Sequence, residues 1–463
     1  MKRFLLIPLM VLLMLGLIFS GCAKPAPTPG PAPAPSPAPA PAPAPAPPSG
    51  PEEILIGCPA AVTGGAAGFG EGGVFGVKAA VEDINKQGGI YIEEYGRKVP
   101  VRVIVVDNES NPLNAGTLSE NLVMADKVNF LISVGPLDFN PPMAVVAERN
   151  KVPLIAGPGP FEAWQGLRTS VTPPWKYSWD PSFAIATPAG EGDFRYGKAG
   201  YTMFDAWLGA LQFFGDKTNK KIALLASDDP DGRGWYKAFA PNAKGIGMET
   251  YRSEDELGLV PMDTNDFSVL IDEWKKQDCQ LLWANCPAPF FGAFWQQAHR
   301  LGYQPKQVFA TRAGLFYTDI QAWGGDLPNG VCNEMFWDPS IEGRQGIGDT
   351  TPVSLNERWV EETGQPMHQI MGWLYANTQV LFDAIERAGS LDGVKVNEAL
   401  AQTDMMTIYY RAVFDQDQYC RIPVAFGQWQ KTDEAWKWDN PRVYSDHDFM
   451  PAEAEMIFPI PYD

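Results

Sequence analysis

Short apolar runs alternate with longer amphipathic stretches along most of this chain. Buried strands are predicted at residues 54–58, 101–106, 130–134, 153–156, 222–226, 280–284 and 308–310. Helices are predicted between them, at residues 74–87, 111–126, 143–150, 234–243, 268–277 and 291–301. Strands that alternate with helices in this way indicate parallel sheets with helices on both faces.

A stretch rich in Pro, Trp and Gly interrupts this alternation at about residues 166–200. The interruption predicts a boundary between two lobes. Helices at residues 369–388 and 394–402 and a few C-terminal strands complete the pattern. The predicted fold class is therefore α/β, with two doubly wound parallel-sheet lobes. Roughly 410 residues lie outside the N-terminal segments described next, and one core seldom holds so many.

The N-terminus has the pattern of an export signal. A basic start precedes an apolar run, shorter than the ~20 residues of a spanning helix, that ends in Phe19-Ser20-Gly21-Cys22. These four residues resemble a bacterial lipobox, with Phe19 where Leu is usual. We predict a lipoprotein signal peptide over residues 1–22 and lipidation of Cys22; the alternative is an uncleaved membrane anchor. Either way the rest of the chain is expected outside the cytoplasm, in the periplasm or at the cell surface.

Residues 23–51 consist largely of alternating Pro and Ala. Pro fixes φ and lacks an amide donor, so this segment cannot form a helix or a sheet ladder. Such tracts favour extended polyproline II, at about 3.1 Å per residue. The segment is predicted to be a semi-rigid tether or an inert spacer.

Composition and motifs exclude several classes of function. A formal net charge of −19 leaves no basic face for nucleic acid. The three histidines are far apart and no cysteines have C-x-x-C spacing, so neither a metal site nor a cofactor is predicted. No G-x-S-x-G, phosphate-binding loop or H-E-x-x-H motif occurs, and no enzymatic activity is predicted. Residues 228–232, Asp-Asp-Pro-Asp-Gly, are interpreted as a turn that caps the next helix rather than as a calcium loop.

Several segments resemble the type I periplasmic binding proteins, in particular the leucine/isoleucine/valine-binding proteins of ABC importers. Residues 54–64 and 76–89 are similar to the first strand and first helix of that family. Residues 264–276, which contain Asp266-Phe267-Ser268, are similar to its Asp-Phe-Ser helix, and Gln296-Gln297-Ala298 lies in a helix as in the family. The resemblance covers residues 54–429. It implies a Venus-flytrap fold, in which two lobes joined by a three-strand hinge enclose a ligand.

The resemblance also implies where the lobes begin and end. Lobe 1 is expected to comprise residues 52–179 and 337–410, and lobe 2 residues 180–336 and 411–463. The three crossings are expected near residues 179–181, 335–338 and 409–414. The segment Gly68-Phe-Gly-Glu-Gly-Gly73 matches a dinucleotide fingerprint, but it begins ten residues after Cys58 instead of directly after the strand. We interpret it as a flexible loop that lets Phe69 reach the ligand.

Ligand-binding positions follow from the same resemblance. Phe69 matches an aromatic residue that covers the ligand. In lobe 2, Asp231 matches a position that is usually Tyr, and Arg312-Ala313 matches the place where amino-acid binders often have a Glu for the ligand's ammonium group. The remaining positions, in lobe 1, match two segments that bind a ligand carboxylate through hydroxyls or backbone amides: Asp138, Phe139, Asn140, Gly157, Pro158 and Gly159.

The chemistry of the ligand stays open between two alternatives. A buried ammonium group needs a carboxylate partner, because an unpaired buried charge costs several kcal/mol. Ala313 cannot supply one, and Arg312 has the opposite charge. One hypothesis is therefore an organic anion, including aromatic acids, bound by Arg312. The other is an amino acid whose ammonium group is bound by Asp231 or Asp138.

The predicted function is that of a lipid-anchored substrate-binding protein of an ABC importer. It would capture a small amino acid or organic acid between its lobes and deliver it to the permease subunits. We expect a monomer that contacts the membrane only through its lipid. The alternative, from another class, is the ligand-sensing ectodomain of a signalling system.

Overall fold

The computed structural model describes residues 50–186, 202–251 and 259–462, together with Gly30. The predicted signal peptide, Cys22 and nearly all of the tether lie outside these residues. The strands are, in chain order, β1 Ile54–Ala60, β2 Ile90–Ile92, β3 Arg97–Val99, β4 Val101–Asp107, β5 Phe130–Ile132, β6 Leu154–Ile155, β7 Ser178–Ser182, β8 Lys221–Ser227, β9 Glu249–Tyr251, β10 Leu259–Val260, β11 Leu281–Asn285, β12 Gln307–Thr311, β13 Val331–Met335, β14 Asp404–Met406, β15 Arg411–Val413, β16 Tyr419–Arg421, β17 Ala425–Gln428, β18 Gln430–Lys431, β19 Trp438–Asp439 and β20 Arg442–Tyr444.

The helices alternate with these strands. They are, in chain order, α1 Ala67–Lys86, α2 Pro112–Met124, α3 Asn140–Asn150, α4 Phe161–Thr169, α5 Met203–Gly215, α6 Pro230–Gly245, α7 Ser268–Lys276, α8 Ala288–Arg300, α9 Tyr317–Gln321, α10 Pro352–Thr363, α11 Gln369–Ala388 and α12 Gly393–Leu400. None of these helices, which belong to the described residues, is both long and apolar enough to cross a bilayer.

The first lobe is built on a sheet with the order β16-β7-β6-β5-β1-β4, in which neighbouring strands run parallel. Alternate side chains of each strand point to opposite faces. Ile56 and Cys58 of β1 join the core beneath α1 and α11, whereas Leu131 of β5 joins the core beneath α2 and α3. Helices therefore cover both faces, as the alternating pattern predicted.

The second lobe has the sheet order β10-β8-β11-β12-β13-β17-β20, and β9 also pairs with β8. Pairs from β8 to β13 are parallel, and β17 and β20 complete the sheet with antiparallel pairs. Its core is strongly aromatic. Trp283 of β11 stacks on Phe309 of β12 with ring centroids 4.2 Å apart, and Phe239 of α6 packs on Trp283 at 4.7 Å.

The chain crosses between the sheets three times. It leaves the first sheet after Ser182, leaves the second after Met335 and leaves the first again after Arg421. The last crossing differs from the sequence expectation of residues 409–414. Because β16 pairs with the open edge of β7, through Tyr419↔Asp180, residues 411–421 stay with the first sheet instead of joining lobe 2.

The glycine-rich segment is the other departure from expectation. Residues 68–73 form the first turns of α1 rather than a flexible loop. The glycines are required by close packing: a Cβ at Gly70 would overlap the carbonyl of Ala61, and one at Gly72 would overlap the imidazole of His368. Helix propensity alone disfavours such a segment, but tertiary contacts outweigh that preference.

Candidate functional site

Charged side chains follow the carboxyl ends of strands in both sheets. Asp138 follows β5 of the first sheet, and Asp231 lies in the first turn of α6, after β8 of the second. Desolvation raises the pKa of Asp231, and the charges of Asp229 and Asp138 raise it further, while Arg312 lowers it. The contact between the rings of Phe69 and Phe316, with centroids 4.9 Å apart, brings the two lobes face to face beside these strand ends, in a region that we call the interlobe gap. In open α/β sheets this is the place where ligands bind.

Arg312 lies at the same edge of the second sheet as Asp231. It follows β12 directly and has φ of 50°, in the left-handed region. Its Nη1 atom lies 3.1 and 3.0 Å from the two carboxylate oxygens of Asp229 and 3.3 Å from Oδ2 of Asp231. Desolvation opposes the charge of Arg312, but Asp231 and Asp229 outweigh it and raise its pKa. The guanidinium is thus paired within its own lobe.

Asp229 and Asp231 have different surroundings. Asp229 is the N-cap of α6: its Oδ1 accepts from the amide of Gly232 at 2.8 Å, and its Oδ2 accepts from Oγ of Ser227 at 2.8 Å. The predicted turn that caps the helix is therefore confirmed. The side chain of Asp231 keeps 38% of its surface exposed. Surrounding protein atoms nevertheless desolvate its carboxylate, and this desolvation is the largest influence on its pKa.

The lobe 1 loops differ from the expectation that their amides donate to a ligand. The amide of Gly157 donates to Oδ1 of Asn140 at 3.0 Å, and Nδ2 of Asn140 donates back to the carbonyl of Gly157 at 3.1 Å. The amide of Gly159 donates to Oγ of Ser182 at 3.2 Å. These bonds hold the loop after β6 in place. Asn140 and both amides are occupied within the protein.

Two more of the predicted positions are packing residues in this structure. Phe139 is 2% exposed and belongs to the core beneath α2 and α3. Its ring occupies the space that a Cβ at Gly135 would need. Pro158 is buried between the two engaged glycines. Of the lobe 1 predictions after β5 and β6, Asp138 alone presents a charge to the gap.

Phe69 takes part in an aromatic contact between the lobes. Its ring meets that of Phe316 edge to face, with centroids 4.9 Å apart, and Phe316 stacks on His368 at 5.0 Å. Phe316 follows β12 in the second lobe, whereas Phe69 and His368 belong to α1 and to the start of α11 in the first. Desolvation lowers the pKa of His368 to about 4, so the imidazole is neutral at pH 7. Sequence reasoning missed Phe316, although it lies in the same strand-end loop as Arg312.

Sequence reasoning did not identify three further carboxylates, those of Glu71, Asp319 and Glu334. Desolvation and the charge of Glu71, in lobe 1, raise the pKa of Asp319, in lobe 2, to about 6. Desolvation raises the pKa of buried Glu334 to about 8, and Asp231 adds to this effect, although Nε1 of Trp207 donates to Glu334 at 3.0 Å. In the described part of the chain, no group of three or more His, Cys, Asp or Glu is arranged to hold a metal ion.

Gln369 connects the two lobes beside this gap. Its Oε1 accepts from the amide of Phe336 at 2.8 Å, and its Nε2 donates to the carbonyls of Leu315 and Glu334 at 3.1 and 3.2 Å. The first residue of α11 thus fixes the second crossing relative to the strand-end loop of Phe316.

Two cavities lie away from the converging charges. One of about 400 Å³ lies between α1 and α10 and includes Glu71, and another of about 290 Å³ lies between α8 and α9 and includes Asp319. Neither is lined by Asp231 or Arg312. We assign the candidate site to the interlobe gap, because ligands of open α/β sheets bind beyond the carboxyl ends of the strands.

Comparisons with known proteins agree with this geometry. The family model described as periplasmic binding protein matches residues 53–434. The Leu/Ile/Val-binding protein homolog 3 of Brucella melitensis is 25% identical over 344 residues, which cover 73% of this chain and 80% of that protein.

Solved structures show the same fold. The branched-chain amino acid transporter substrate binding protein LivJ of Streptococcus pneumoniae, in complex with isoleucine, has a TM-score of 0.65 at 17% identity, covering 84% of this chain and 100% of that one. An ABC transporter solute binding protein from R. palustris, in complex with 4-hydroxybenzoate, has a TM-score of 0.64 at 18% identity, covering 86% and 98%. The predicted two-lobe Venus-flytrap fold is confirmed.

Proposed function

This chain belongs to the periplasmic binding protein family, and on that premise we propose that it is the lipid-anchored substrate-binding protein of an ABC importer. The family works outside the cytoplasm, and the matched proteins bind solutes for transporters and are not enzymes. The observation that carries the proposal is the contact between the rings of Phe69 from one lobe and Phe316 from the other, 4.9 Å between centroids, beside the strand-end loop of Arg312. A solute bound there contacts both lobes at once.

Lobe closure supplies the mechanism. Open and closed forms of such a protein differ by a few kcal/mol, and a ligand that contacts both lobes favours the closed form through contacts that only this form provides. The crossings after Ser182, Met335 and Arg421 are the segments about which the lobes would turn. The permease subunits would then recognise the closed shape of the monomer.

Anchoring is assigned to the N-terminal segments. Cleavage after Gly21 would leave Cys22 as the new N-terminus, and a lipid on Cys22 would hold the protein at the membrane. Residues 23–51 would then serve as a tether, which in extended polyproline form is long enough to keep the lobes clear of the surface.

The ligand is proposed to be a small organic solute in contact with Phe69, Asp138, Asp231 and Arg312. The two structural neighbours described above bind an amino acid and an aromatic acid. Each of those ligands carries a carboxylate. The amides that the resemblance assigned to a carboxylate donate to Asn140 and Ser182 in this chain.

Small-angle scattering of the full-length protein in detergent, with and without solutes from a metabolite panel, tests the proposal. A ligand should lower the radius of gyration and raise the melting temperature, and Arg312→Ala should reduce both effects. Crosslinking in native membranes should join the protein to permease subunits. A shape and melting temperature that no solute changes, together with no permease crosslink, would contradict the proposal.

A further inference from the structure

We propose that His368 makes lobe closure depend on pH: the closed form buries its imidazole as a neutral ring, and protonation of this ring in acid favours the open form. This inference rests on the lobe closure of the proposed function and adds a regulation of that movement. It concerns a residue outside the predicted ligand-binding positions.

The imidazole of His368 lies in the contact between the lobes. His368 is the N-cap of α11 in lobe 1 and is 4% exposed. Phe316 of lobe 2 stacks on its ring, with centroids 5.0 Å apart and an angle of 17° between the planes. Two further contacts come from lobe 1: Trp359 meets the imidazole edge to face at 5.3 Å, and a Cβ at Gly72 would overlap Nδ1. Opening the lobes therefore removes the ring of Phe316 from the imidazole and leaves the contacts within lobe 1 in place.

The ring nitrogens of His368 are the second observation. Both are buried, and neither has a hydrogen-bond partner among the residues that the structure describes. A protonated imidazole carries two N–H donors and a charge, and all of these are unfavourable where no acceptor and no water can meet them. The closed form therefore disfavours the protonated ring. When Phe316 leaves, water reaches the uncovered imidazole and can stabilise its charge.

The direction of the pH effect follows from the two environments of the ring. Desolvation lowers the pKa of His368 to about 4 in the closed form, and the backbone of Gly68 offsets this only in part. In contact with water the pKa of the imidazole returns towards 6.5. As the pH falls from about 6.5 to about 4, the open form therefore binds a proton that the closed form does not, and the balance shifts to the open form. Above about pH 6.5 the ring is neutral in both forms, and closure is unaffected.

Charged groups on the neighbouring elements leave this direction unchanged. No charged side chain is among the influences on the pKa of His368. Glu71 on α1 and Arg358 on α10 are engaged in hydrogen bonds with other side chains. Asp319 on α9 acts in the opposite sense: desolvation and the charge of Glu71 raise its pKa to about 6, so this carboxyl group takes up a proton in the folded protein as the pH falls. The contribution of His368 is therefore the difference between the wild type and a variant without the imidazole.

Histidine NMR of the full-length protein in detergent tests the coupling between the ring of Phe316 and the proton of His368. The chain has three histidines, and the signal that His368→Phe removes belongs to residue 368. In Phe316→Ala the imidazole loses its cover from lobe 2, and we expect its proton affinity to rise at least tenfold, to a pKa of about 5 or higher. Phe213→Ala, at a 46% exposed ring of α5, should leave the titration unchanged. The same pKa of His368 in the wild type and in Phe316→Ala would overturn the inference.

Small-angle scattering measures the movement itself, at about pH 7 and about pH 5. With pKa values of about 6.5 and 4 in the two forms, His368 shifts the ratio of open to closed protein by about thirtyfold at pH 5. We expect the radius of gyration of the wild type to be larger at pH 5, a smaller increase in His368→Phe, and a larger one in Asp319→Asn, which removes the opposing group. His299→Gln, at an exposed position, should match the wild type. Equal pH responses of the wild type and His368→Phe would overturn the inference and leave the proposed function intact, because compaction by a solute at pH 7 does not involve this proton.

Discussion

The ring of Phe316, from the second lobe, stacks on the imidazole of His368, from the first, with centroids 5.0 Å apart. Phe69 also meets Phe316, edge to face, with its centroid 4.9 Å from that of Phe316. Phe316 therefore contacts two rings of the opposite lobe. This contact exists only while the lobes are close together, so it contributes directly to the balance between open and closed forms.

Replacing Phe316 should shift that balance. In Phe316→Ala both ring contacts are lost, and each is worth about 0.5–1.5 kcal/mol beyond the area it buries. We expect the closed form to lose about 1–3 kcal/mol relative to the open form, with a larger radius of gyration in scattering and a weaker apparent ligand affinity. Phe213→Ala, which removes a 46% exposed ring of α5, is the control and should leave the shape unchanged. An unchanged radius of gyration in Phe316→Ala would show that the ring contact does not hold the lobes together.

The close packing of α1 on α11 predicts a sharp difference between two glycines. In Gly76→Ala the new methyl group would overlap the backbone carbonyl of Met371, which cannot move alone. Overpacking of this kind costs about 1–3 kcal/mol, measurable as a lower midpoint of urea unfolding. Gly166→Ala, in α4, places its methyl group in open space and should stabilise by about 0.5–1 kcal/mol. Equal effects of the two substitutions would refute the packing argument.

Sequence periodicity predicted most of the fold, because helices and strands that bury one face carry a pattern. Helix α11, at Gln369–Ala388, was predicted with its observed bounds. The pattern failed where tertiary contacts determine the local structure. The start of α1 contains glycines that disfavour a helix in isolation, and β16 is only three residues, Tyr-Cys-Arg, whose place is set by the open edge of β7.

The site was harder to predict, because its residues come from distant parts of the chain. Arg312 was identified as charged and close to the ligand, but its partner Asp229 lies 83 residues earlier. The hypothesis of a guanidinium free to bind an anion depended on that missing contact. The carboxylates at residues 71, 319 and 334 have no local signal either, since acidic side chains are common on any surface.

Buried His368 should make stability depend on pH. Desolvation lowers its pKa from 6.5 to about 4, so below pH 6.5 the unfolded chain binds a proton that the folded protein does not. Stability should therefore fall as the pH falls from about 6.5 to about 4, by roughly 3 kcal/mol. His368→Phe keeps the aromatic stack and should remove this part of the pH dependence in urea titrations, whereas His299→Gln, at an exposed position, should not. A His368→Phe variant with the pH profile of the wild type would contradict the assignment.

Buried Asp180 should give the stability of the fold the opposite dependence on pH. It lies fully buried in β7, neither of its carboxylate oxygens has a hydrogen-bond partner among the described residues, and desolvation raises its pKa well above 3.8. The folded protein then holds a proton that the unfolded chain releases, so this group destabilises the fold as the pH rises above about 4.

Asp180→Asn, a neutral side chain of the same size, should stabilise the protein at pH 7 by about 1–3 kcal/mol. It should have little effect at pH 3.5, where both states are protonated. Asp216→Asn, at an exposed position, is the control. Loss of stability in Asp180→Asn at pH 7 would mean that the carboxylate is ionised and paired in the folded protein.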